Sequence, residues 1–333
     1  MIDNLYKKIL LSDRLALSKA ITLIESKKLK DKSKSEKLIK KLYKKSGKSL
    51  RIGISGAPGV GKSTFIETLG IFLTNKNYKV AVLAVDPSSK RSGGSILGDK
   101  TRMQELSIKK NAYIRPSPSG GELGGVARRT RETMILVESA GYEIVLIETV
   151  GVGQSETEVA EMVDIFLVLL QPSAGDELQG IKKGIVEIAD LLIVNKEDEF
   201  KDEVLKTVAD YKNALSLLKK DKNSFNPKVT KCSALKKVGI NEIWKIILSF
   251  KTLGNKKGWI KEKRSKQLEK WIKEELDSGD IVAKGGLDLS GHMHEIFQRL
   301  TDEGARLTLD FLEKGLRVSI FSYEMPDIFS RSK

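Results

Sequence analysis

Short, unbroken apolar runs alternate along the chain with longer segments in which apolar residues recur at helical spacing. The runs are rich in β-branched residues and cover residues 52–54, 80–85, 144–147, 165–170 and 191–194. Runs of this length, separated by helix-length segments, are typical of strands buried on both faces of a sheet. They predict βαβ units and an α/β fold with a mainly parallel sheet flanked by helices. A further strand is predicted over residues 228–232, followed by a helix from about Gly239.

The two ends of the chain have a different texture. Residues 1–46 predict two helices, with the lysine-rich stretch 27–35 between them as a hinge or solvent-facing connection. Residues 257–277 predict a long charged helix, and a second amphipathic stretch covers about 292–316. The predicted domains are an N-terminal helical extension over 1–48, a central α/β domain over 49–255 and a C-terminal helical extension over 256–333.

Four of the predicted strands lead directly into residues with useful chemistry. The strands end just before Gly56, Asp86, Glu148 and Asn195. In an open parallel sheet, ligands bind outside the carboxyl ends of the strands. We therefore expect these positions, which are far apart in sequence, to form one site.

The first of these positions begins a phosphate-binding loop. The nine residues that match or follow the pattern G-x-x-x-x-G-K-[ST] are Gly56, Ala57, Pro58, Gly59, Val60, Gly61, Lys62, Ser63 and Thr64. The match lies between a predicted strand and a predicted helix, which is the context that the motif requires. The glycines let backbone N–H groups converge on phosphate oxygens, and the helix start adds its positive dipole end. Lys62 is expected to reach the β- and γ-phosphates, and the Ser63 hydroxyl to bind Mg²⁺. These features predict a P-loop NTPase.

A second segment predicts that the base is guanine. Asn195, Lys196 and Asp198 fit the pattern N-K-x-D directly after a buried strand. The Asp198 carboxylate can accept hydrogen bonds from the ring N–H and the exocyclic amine of guanine, whereas adenine would leave it unpaired. Asn195 is expected to tie the segment to the phosphate loop, and the stem of Lys196 to lie across the base. Backbone donors to the guanine oxygen are expected from Ser233, Ala234 and Leu235.

Acidic and glycine residues near the phosphates predict a magnesium site and a switch loop. Glu148 and Gly151 occupy the D-x-x-G position, where the acid holds the Mg²⁺ shell and the Gly151 N–H senses the γ-phosphate. Asp86 and Asp99 can each orient either Mg²⁺ or the attacking water, and Gln154 is a further candidate for positioning that water. The expected metal ligands are Ser63, Asp86, Asp99 and Glu148. Candidates either for charge stabilisation or for surface ion pairs are Arg102, Arg128 and Arg131.

Composition limits the classes of partner. The net charge of +15 comes mostly from lysines that are dense in 27–48 and 251–273, with few aromatic residues among them to stack bases. We interpret these lysines as solvated helix faces and predict no nucleic-acid partner, with nucleic acid or an acidic protein as the alternatives. No window approaches the roughly 18 apolar residues of a membrane span, so no membrane partner is predicted. The single cysteine, Cys232, suits a reducing compartment, and we expect the cytoplasm.

Over about residues 8–250, the sequence resembles the P-loop GTPases of the methylmalonyl-CoA mutase chaperone group. This group is also called the MeaB or ArgK family, and it includes the methylmalonic aciduria type A protein. The strings that carry the resemblance are GAPGVGKST at 56–64, VDPSS at 85–89, GGSILGDKTRM at 93–103, IRPSP at 114–118, GGVAR at 124–128, ETVGVGQSE at 148–156 and GDELQGIK at 175–182. So many long strings are highly specific to the family.

The resemblance implies a homodimeric GTPase that binds an adenosylcobalamin-dependent acyl-CoA mutase, gates its cofactor loading and protects it from inactivation. Methylmalonyl-CoA mutase is the expected partner, with isobutyryl-CoA mutase or another acyl-CoA mutase as alternatives. The implied catalytic residues are Lys62, Asp86, Asp99 and Glu148. A third switch is implied over 171–183, and the expected switch residues are Gln154, Asp176, Gln179 and Lys182. The helices after residue 257 resemble a dimerisation arm, whereas the tail from about Ile281 does not resemble the family's ending.

Two other functions are compatible with a phosphate loop. A P-loop kinase linked to basic amino-acid transport would need an acceptor pocket, for which we find no sequence feature. A nickel- or cobalt-insertion GTPase usually carries histidine or cysteine clusters, and this chain has two histidines and one cysteine.

Overall fold

The computed structural model describes residues 2–26, 28–85, 103–115, 123–149, 155–172, 183–216, 225–277, 308–311 and 316–319. Its centre is a seven-stranded sheet in which every neighbouring pair is parallel, in the order β3-β2-β4-β1-β5-β6-β7. The strands are β1 Leu50–Gly56, β2 Val80–Val85, β3 Ala112–Arg115, β4 Ile144–Thr149, β5 Ile165–Leu170, β6 Leu191–Val194 and β7 Lys228–Lys231. The predicted parallel α/β sheet is confirmed. β3 was not predicted, because it is a four-residue edge strand with no long apolar run.

Helices cover both faces of the sheet. They are α4 Lys62–Asn75, α5 Gln104–Ser107, α6 Leu123–Ser139, α7 Ser155–Ala160, α8 Lys183–Ile188, α9 Lys201–Ser216, α10 Ile240–Lys257 and α11 Trp259–Asp277. None of the helices in the described ranges is both long and apolar enough to cross a membrane.

The unbroken apolar runs are explained by two hydrophobic cores, one on each face. Along β5, Phe166 and Val168 pack into one core, and Leu167 and Leu169 pack into the other. Successive side chains of a strand point to opposite faces, so a strand covered on both sides must be apolar at every position.

The N-terminal region forms three helices rather than the two predicted: α1 Ile2–Leu10, α2 Arg14–Glu25 and α3 Leu29–Tyr43. The helical conformation is interrupted at Ser12, where φ is 61°, so α1 and α2 are separate helices. Asp13 then caps α2 by accepting a hydrogen bond from Ala16 N at 2.9 Å. The stretch 27–35, predicted as a hinge or solvent-facing connection, lies largely in the first half of α3. Lysine is a good helix former, and Leu38 and Leu42 on the same helix are fully buried.

The C-terminal region also differs in part from its prediction. The long charged helix is present as α11, which begins directly after Gly258 (φ 81°). Farther along, β8 Thr308–Phe311 and β9 Leu316–Ser319 form an antiparallel hairpin inside the segment predicted to be helical. Polar and apolar residues alternate in both strands, for example Leu316 and Val318 against Arg317 and Ser319, and that is the period of a strand.

Helix α11 is attached to the amino end of the sheet by a buried ion pair. Arg264 donates to both carboxylate oxygens of Asp164, at 2.7 and 2.6 Å, and also to the carbonyls of Gly47 and Ser49. The Arg51 backbone N–H donates to the same carboxylate at 2.8 Å. Burial alone would raise the pKa of Asp164, but the charges of Arg264 and Arg51 outweigh it and lower that pKa below its usual value. The carboxylate is therefore charged, fully buried and dependent on α11.

We expect Arg264→Met to lower the free energy of unfolding by about 3 kcal/mol at neutral pH, because the buried carboxylate loses its guanidinium partner. The lowered pKa of Asp164 means that the pair stabilises the fold above about pH 4 and that this contribution is lost as the pH falls. Urea unfolding at pH 7 and pH 3.5 should thus show a difference from wild type that shrinks at the lower pH.

A matched control is Lys266→Met in the same helix, because Lys266 pairs with Glu262 at 2.7 Å on the solvent side. Removing this exposed pair should change stability by no more than about 0.5 kcal/mol. Equal losses in the two variants would contradict the assignment.

Candidate nucleotide-binding site

The phosphate loop connects the central strand β1 to the start of α4. Gly61 stands immediately before α4 with φ at 94°, and a Cβ atom there would lie 2.7 Å from Asn195 Nδ2. A Cβ atom on Gly56 would lie 2.5 Å from the carbonyl oxygen of Leu169 on β5. Only glycine fits these two positions, so the glycines of the motif are required by backbone conformation and by close packing.

The Lys62 ammonium group is held inside this loop. Its Nζ atom donates to the carbonyl oxygens of Gly56 at 2.7 Å and of Ala57 at 3.1 Å. Burial lowers the pKa of Lys62, and the nearby carboxylates of Glu148 and Glu156 oppose that shift. The arrangement gives a partly desolvated cation at the amino end of a 14-residue helix, which is suited to binding an anion.

Ser63 and Glu148, two of the expected metal ligands, have neighbouring side chains. Glu148 lies near the end of β4 in register with Ile54 of β1, and its side chain is buried. Ser63 Oγ donates to Glu148 Oε1 at 3.4 Å. A hydroxyl and a carboxylate at this distance are hard oxygen donors of the kind that Mg²⁺ prefers.

Glu156 is a site residue that our sequence analysis did not single out. It lies in the first turn of α7, is 1% exposed and accepts a hydrogen bond from Ser55 Oγ at 3.3 Å. Thr149 Oγ1 donates to Ser55 Oγ at 3.0 Å, and Glu156 acts electrostatically on Lys62. The signal available in the sequence was an acid in the same string as Glu148, but only the tertiary structure places it beside the phosphate loop.

Asn195 joins three segments of the site. Its Nδ2 atom donates to the Val60 carbonyl of the phosphate loop at 2.8 Å, which is the link expected from the sequence. Its Oδ1 atom accepts from Ala234 N at 3.0 Å and from Cys232 Sγ at 3.4 Å. The side chain is buried, so each of these hydrogen bonds would be costly to lose.

The rest of the N-K-x-D segment turns outward at the edge of the sheet. Lys196 adopts a left-handed conformation with φ at 65°, and Glu197 N donates to the Cys232 carbonyl at 3.1 Å. Glu197 also forms an ion pair with Lys231. Asp198 is exposed, so its carboxylate is accessible to a ligand.

The segment after β7 forms a tight loop next to Asn195. Ser233 pairs with Val238 in an antiparallel bridge, and Ser233 Oγ accepts from Lys236 N at 3.0 Å. Ala234 is buried and Leu235 is exposed. Burial raises the pKa of the Cys232 thiol to about 12.

Several predicted residues lie outside the described part of the chain. They are Asp86, Asp99, Arg102, Gly151, Gln154, Asp176, Gln179 and Lys182. Of the three candidate arginines, Arg128 and Arg131 lie in the described part of the chain, and both make ion pairs. Arg128 pairs with Glu132 at 3.6 Å, and Arg131 pairs with Glu274 at 2.7 Å. Arg131 also lies 5.7 Å from the ring centroid of Trp271. These contacts favour the ion-pair alternative for both arginines.

Comparison with known proteins gives the family. Residues 17–284 match the family described as methylmalonyl Co-A mutase-associated GTPase MeaB. The chain is 47% identical over 266 residues to the GTPase ArgK of Escherichia coli (strain K12), covering 80% of each protein. It is 46% identical over 282 residues to the mouse (Mus musculus) protein named methylmalonic aciduria type A homolog, mitochondrial, covering 81% of this chain and 68% of that one.

A solved structure is similar over nearly the whole chain. It is described as LAO/AO transport system kinase, and it matches with a TM-score of 0.73 and 36% identity, covering 90% of this chain and 91% of that one. The phosphate loop, the Asn195 links and these matches lead to one conclusion: the chain is a GTPase that belongs to the family of methylmalonyl-CoA mutase-associated GTPases called MeaB.

Proposed function

We propose that this GTPase is a chaperone of an adenosylcobalamin-dependent acyl-CoA mutase, with methylmalonyl-CoA mutase as the first candidate. It would assist cofactor loading and protect the mutase, acting as a homodimer in the cytoplasm. The observation that carries the proposal is the match of residues 17–284 to a family whose description names association with that mutase. The name of the mouse relative also refers to methylmalonic acid, through methylmalonic aciduria.

In this proposal, binding and hydrolysis of GTP at the nucleotide site supply the energy for the chaperone function. In our proposal the loop Gly56–Thr64 surrounds the phosphates, with Lys62 countering their charge. Asp198 accepts hydrogen bonds from guanine, Lys196 covers the base, and the loop of Ser233, Ala234 and Leu235 faces the guanine oxygen. Support comes from Asn195, which holds the phosphate end and the base end of the site together through its bonds to Val60 and Ala234.

Mg²⁺ fits the oxygen donors that the site presents. Ser63 and Glu148, 3.4 Å apart, would hold it, with Asp86 and Asp99 as further proposed ligands or as groups that orient the attacking water. When bound, the ion neutralises charge on the transferring phosphate oxygens. Glu148 is buried at the end of a central strand, so its carboxylate is held in place before any ligand binds.

Nucleotide state would reach the partner through segments next to the phosphates. We assign this role to Gly151 and Gln154 and to the third switch over 171–183, with Asp176, Gln179 and Lys182 as its acting residues. Glu156 supports the assignment, because it lies five residues after Gly151 in the first turn of α7 and accepts a hydrogen bond from Ser55 on β1.

Asp198→Asn should weaken GDP binding by about a hundredfold or more and improve binding of xanthosine diphosphate. An asparagine amide can donate to the xanthine 2-oxo group, whereas it cannot accept both guanine N–H groups. Calorimetry with GDP, ADP and xanthosine diphosphate measures the change. The exposed Asp202→Asn in α9 is the matched control and should bind like wild type. An unchanged preference in Asp198→Asn would overturn the base assignment.

Glu148→Gln should raise the Mg²⁺ concentration needed for half-maximal GTP hydrolysis by about tenfold, because a neutral amide is a poorer ligand for a hard cation. A Mg²⁺ titration of the hydrolysis rate at saturating GTP measures this, with the exposed Glu36→Gln of α3 as control. If both variants gave the wild-type Mg²⁺ curve, Glu148 would have no part in holding the ion.

The chaperone role predicts that a purified adenosylcobalamin-dependent mutase accelerates GTP hydrolysis and forms a complex that depends on the bound nucleotide. Slow hydrolysis by the GTPase alone is expected, since its switch segments would reach the active arrangement only with the partner. Hydrolysis rates with and without methylmalonyl-CoA mutase, and co-elution with a GTP analogue or GDP, test this. No rate change together with no complex would exclude the role for that mutase.

A kinase linked to basic amino-acid transport is the second candidate, favoured by the description of the similar solved structure. It predicts transfer of labelled γ-phosphate to arginine, ornithine or a binding protein rather than to water. Release of free phosphate alone in the presence of these acceptors would rule it out.

A further inference from the structure

We infer that Thr68, buried in the helix that follows the phosphate loop, is a positioning residue for guanine recognition. It acts by fixing the orientation of the Ala234–Leu235 peptide. This inference rests on the proposed guanine site and adds to it a residue that lies outside every nucleotide-binding motif in the sequence.

The contact that carries the inference is a buried hydrogen bond between distant segments. Thr68 Oγ1 on α4 donates to the Ala234 carbonyl oxygen at 2.9 Å, and both residues are buried. On the other side of the same residue, Ala234 N–H donates to Asn195 Oδ1 at 3.0 Å. Ala234 is thus attached by its carbonyl to α4 and by its N–H to the base-reading segment.

Holding the Ala234 carbonyl also sets the next N–H group. The peptide bond is planar and trans, so the N–H of Leu235 points opposite to the Ala234 carbonyl. Since that carbonyl faces Thr68, the Leu235 N–H faces away from α4. Within the described part of the chain this N–H donates no hydrogen bond, and the Leu235 side chain is exposed.

A donor fixed in this direction discriminates between purines. Guanine presents an oxygen acceptor at position 6, whereas adenine presents an amine, which would place two donors against each other. The second bond to the Ala234 carbonyl, from Lys237 N, is longer at 3.3 Å and belongs to the loop itself. Without the Thr68 hydroxyl the loop would therefore persist, but only this longer bond would hold the carbonyl, and the orientation of the peptide would be less tightly fixed.

The position of Thr68 on α4 links the two ends of the ligand. α4 begins at Lys62, and Thr68 comes six residues later, ~9 Å along the helix axis at 1.5 Å per residue. In this inference α4 fixes the positions of both the Lys62 ammonium group, which faces the phosphates, and the Ala234–Leu235 peptide, which faces the base.

The test is Thr68→Val, which keeps the shape of the side chain and removes the hydroxyl. The readout is calorimetric affinity for three diphosphates: GDP, 6-thio-GDP, which changes only the position-6 acceptor, and inosine diphosphate, which lacks the amine that Asp198 would read. Thr68→Ser retains a hydroxyl. Thr74→Val is the matched control, because buried Thr74 donates only within its own helix, to Ile71 O at 3.0 Å.

We expect Thr68→Val to bind GDP about threefold to tenfold more weakly and to lose discrimination against 6-thio-GDP by a similar factor. Its discrimination against inosine diphosphate should be unchanged, and Thr68→Ser and Thr74→Val should behave like wild type. Equal weakening for all three diphosphates, or unchanged 6-thio-GDP discrimination, would overturn the inference. Melting temperatures of all variants show whether a loss of binding comes from unfolding.

The same data separate this inference from the proposed function. If wild-type protein binds GDP no better than inosine diphosphate or ADP, the guanine site itself fails, and the role of Thr68 fails with it. If wild type discriminates and Thr68→Val discriminates equally, only the role of Thr68 is lost.

Discussion

The site depends on the hydrogen bonds of one buried amide. Asn195 directly follows β6, and its side chain satisfies both its donor and its acceptor with backbone groups of two other segments. An unpaired amide at this depth would cost about 1–3 kcal/mol, so the phosphate loop and the base-reading loop are each held against the same strand end. Gly61 is part of this constraint, because any side chain there would collide with the amide. The distance between the phosphate loop and the base-reading loop is therefore fixed by packing at the carboxyl end of the sheet, before any ligand binds.

The opposite edge of the sheet carries a second polar assembly with a different purpose. At the amino ends of the strands, Arg264 binds Asp164 and two backbone carbonyls, and Arg51 binds Glu138 at 2.7 Å. These charges are buried between elements far apart in sequence: the Arg264 contacts join α11 to the sheet, and the Arg51–Glu138 pair joins β1 to α6. Nearer the C-terminal end of α11, its Lys270 pairs with Glu161, which follows α7, and its Glu274 pairs with Arg131 of α6. α11 thus contacts both the amino end of the sheet and Glu161, the residue that directly follows α7.

Sequence patterns predicted the parts of the fold that depend on local periodicity and on known motifs. The central strands and the strand–loop–helix context of Lys62 could be predicted because apolar runs and glycine spacing report them directly. The edge strand β3, the break at Ser12 and the hairpin at Thr308–Phe311 were missed or assigned to helix, since short elements leave weak local signals. Glu156, Thr68 and Arg264 could not be predicted for a different reason: their roles arise from contacts across 101, 166 and 100 positions of sequence. Long-range hydrogen bonds of this kind have no periodicity to detect.

The Arg264–Asp164 pair also bears on where the central domain ends. A boundary at residue 255 follows the change in composition, yet the carboxylate of Asp164 lies inside the domain and its counter-charge is supplied from beyond that boundary. A fragment cut at 255 would keep every nucleotide motif, but the buried carboxylate of Asp164 would lose its guanidinium partner Arg264. The smallest autonomous folding unit of this GTPase should accordingly include α11, so a truncation that keeps this unit intact needs to cut after that helix rather than before it.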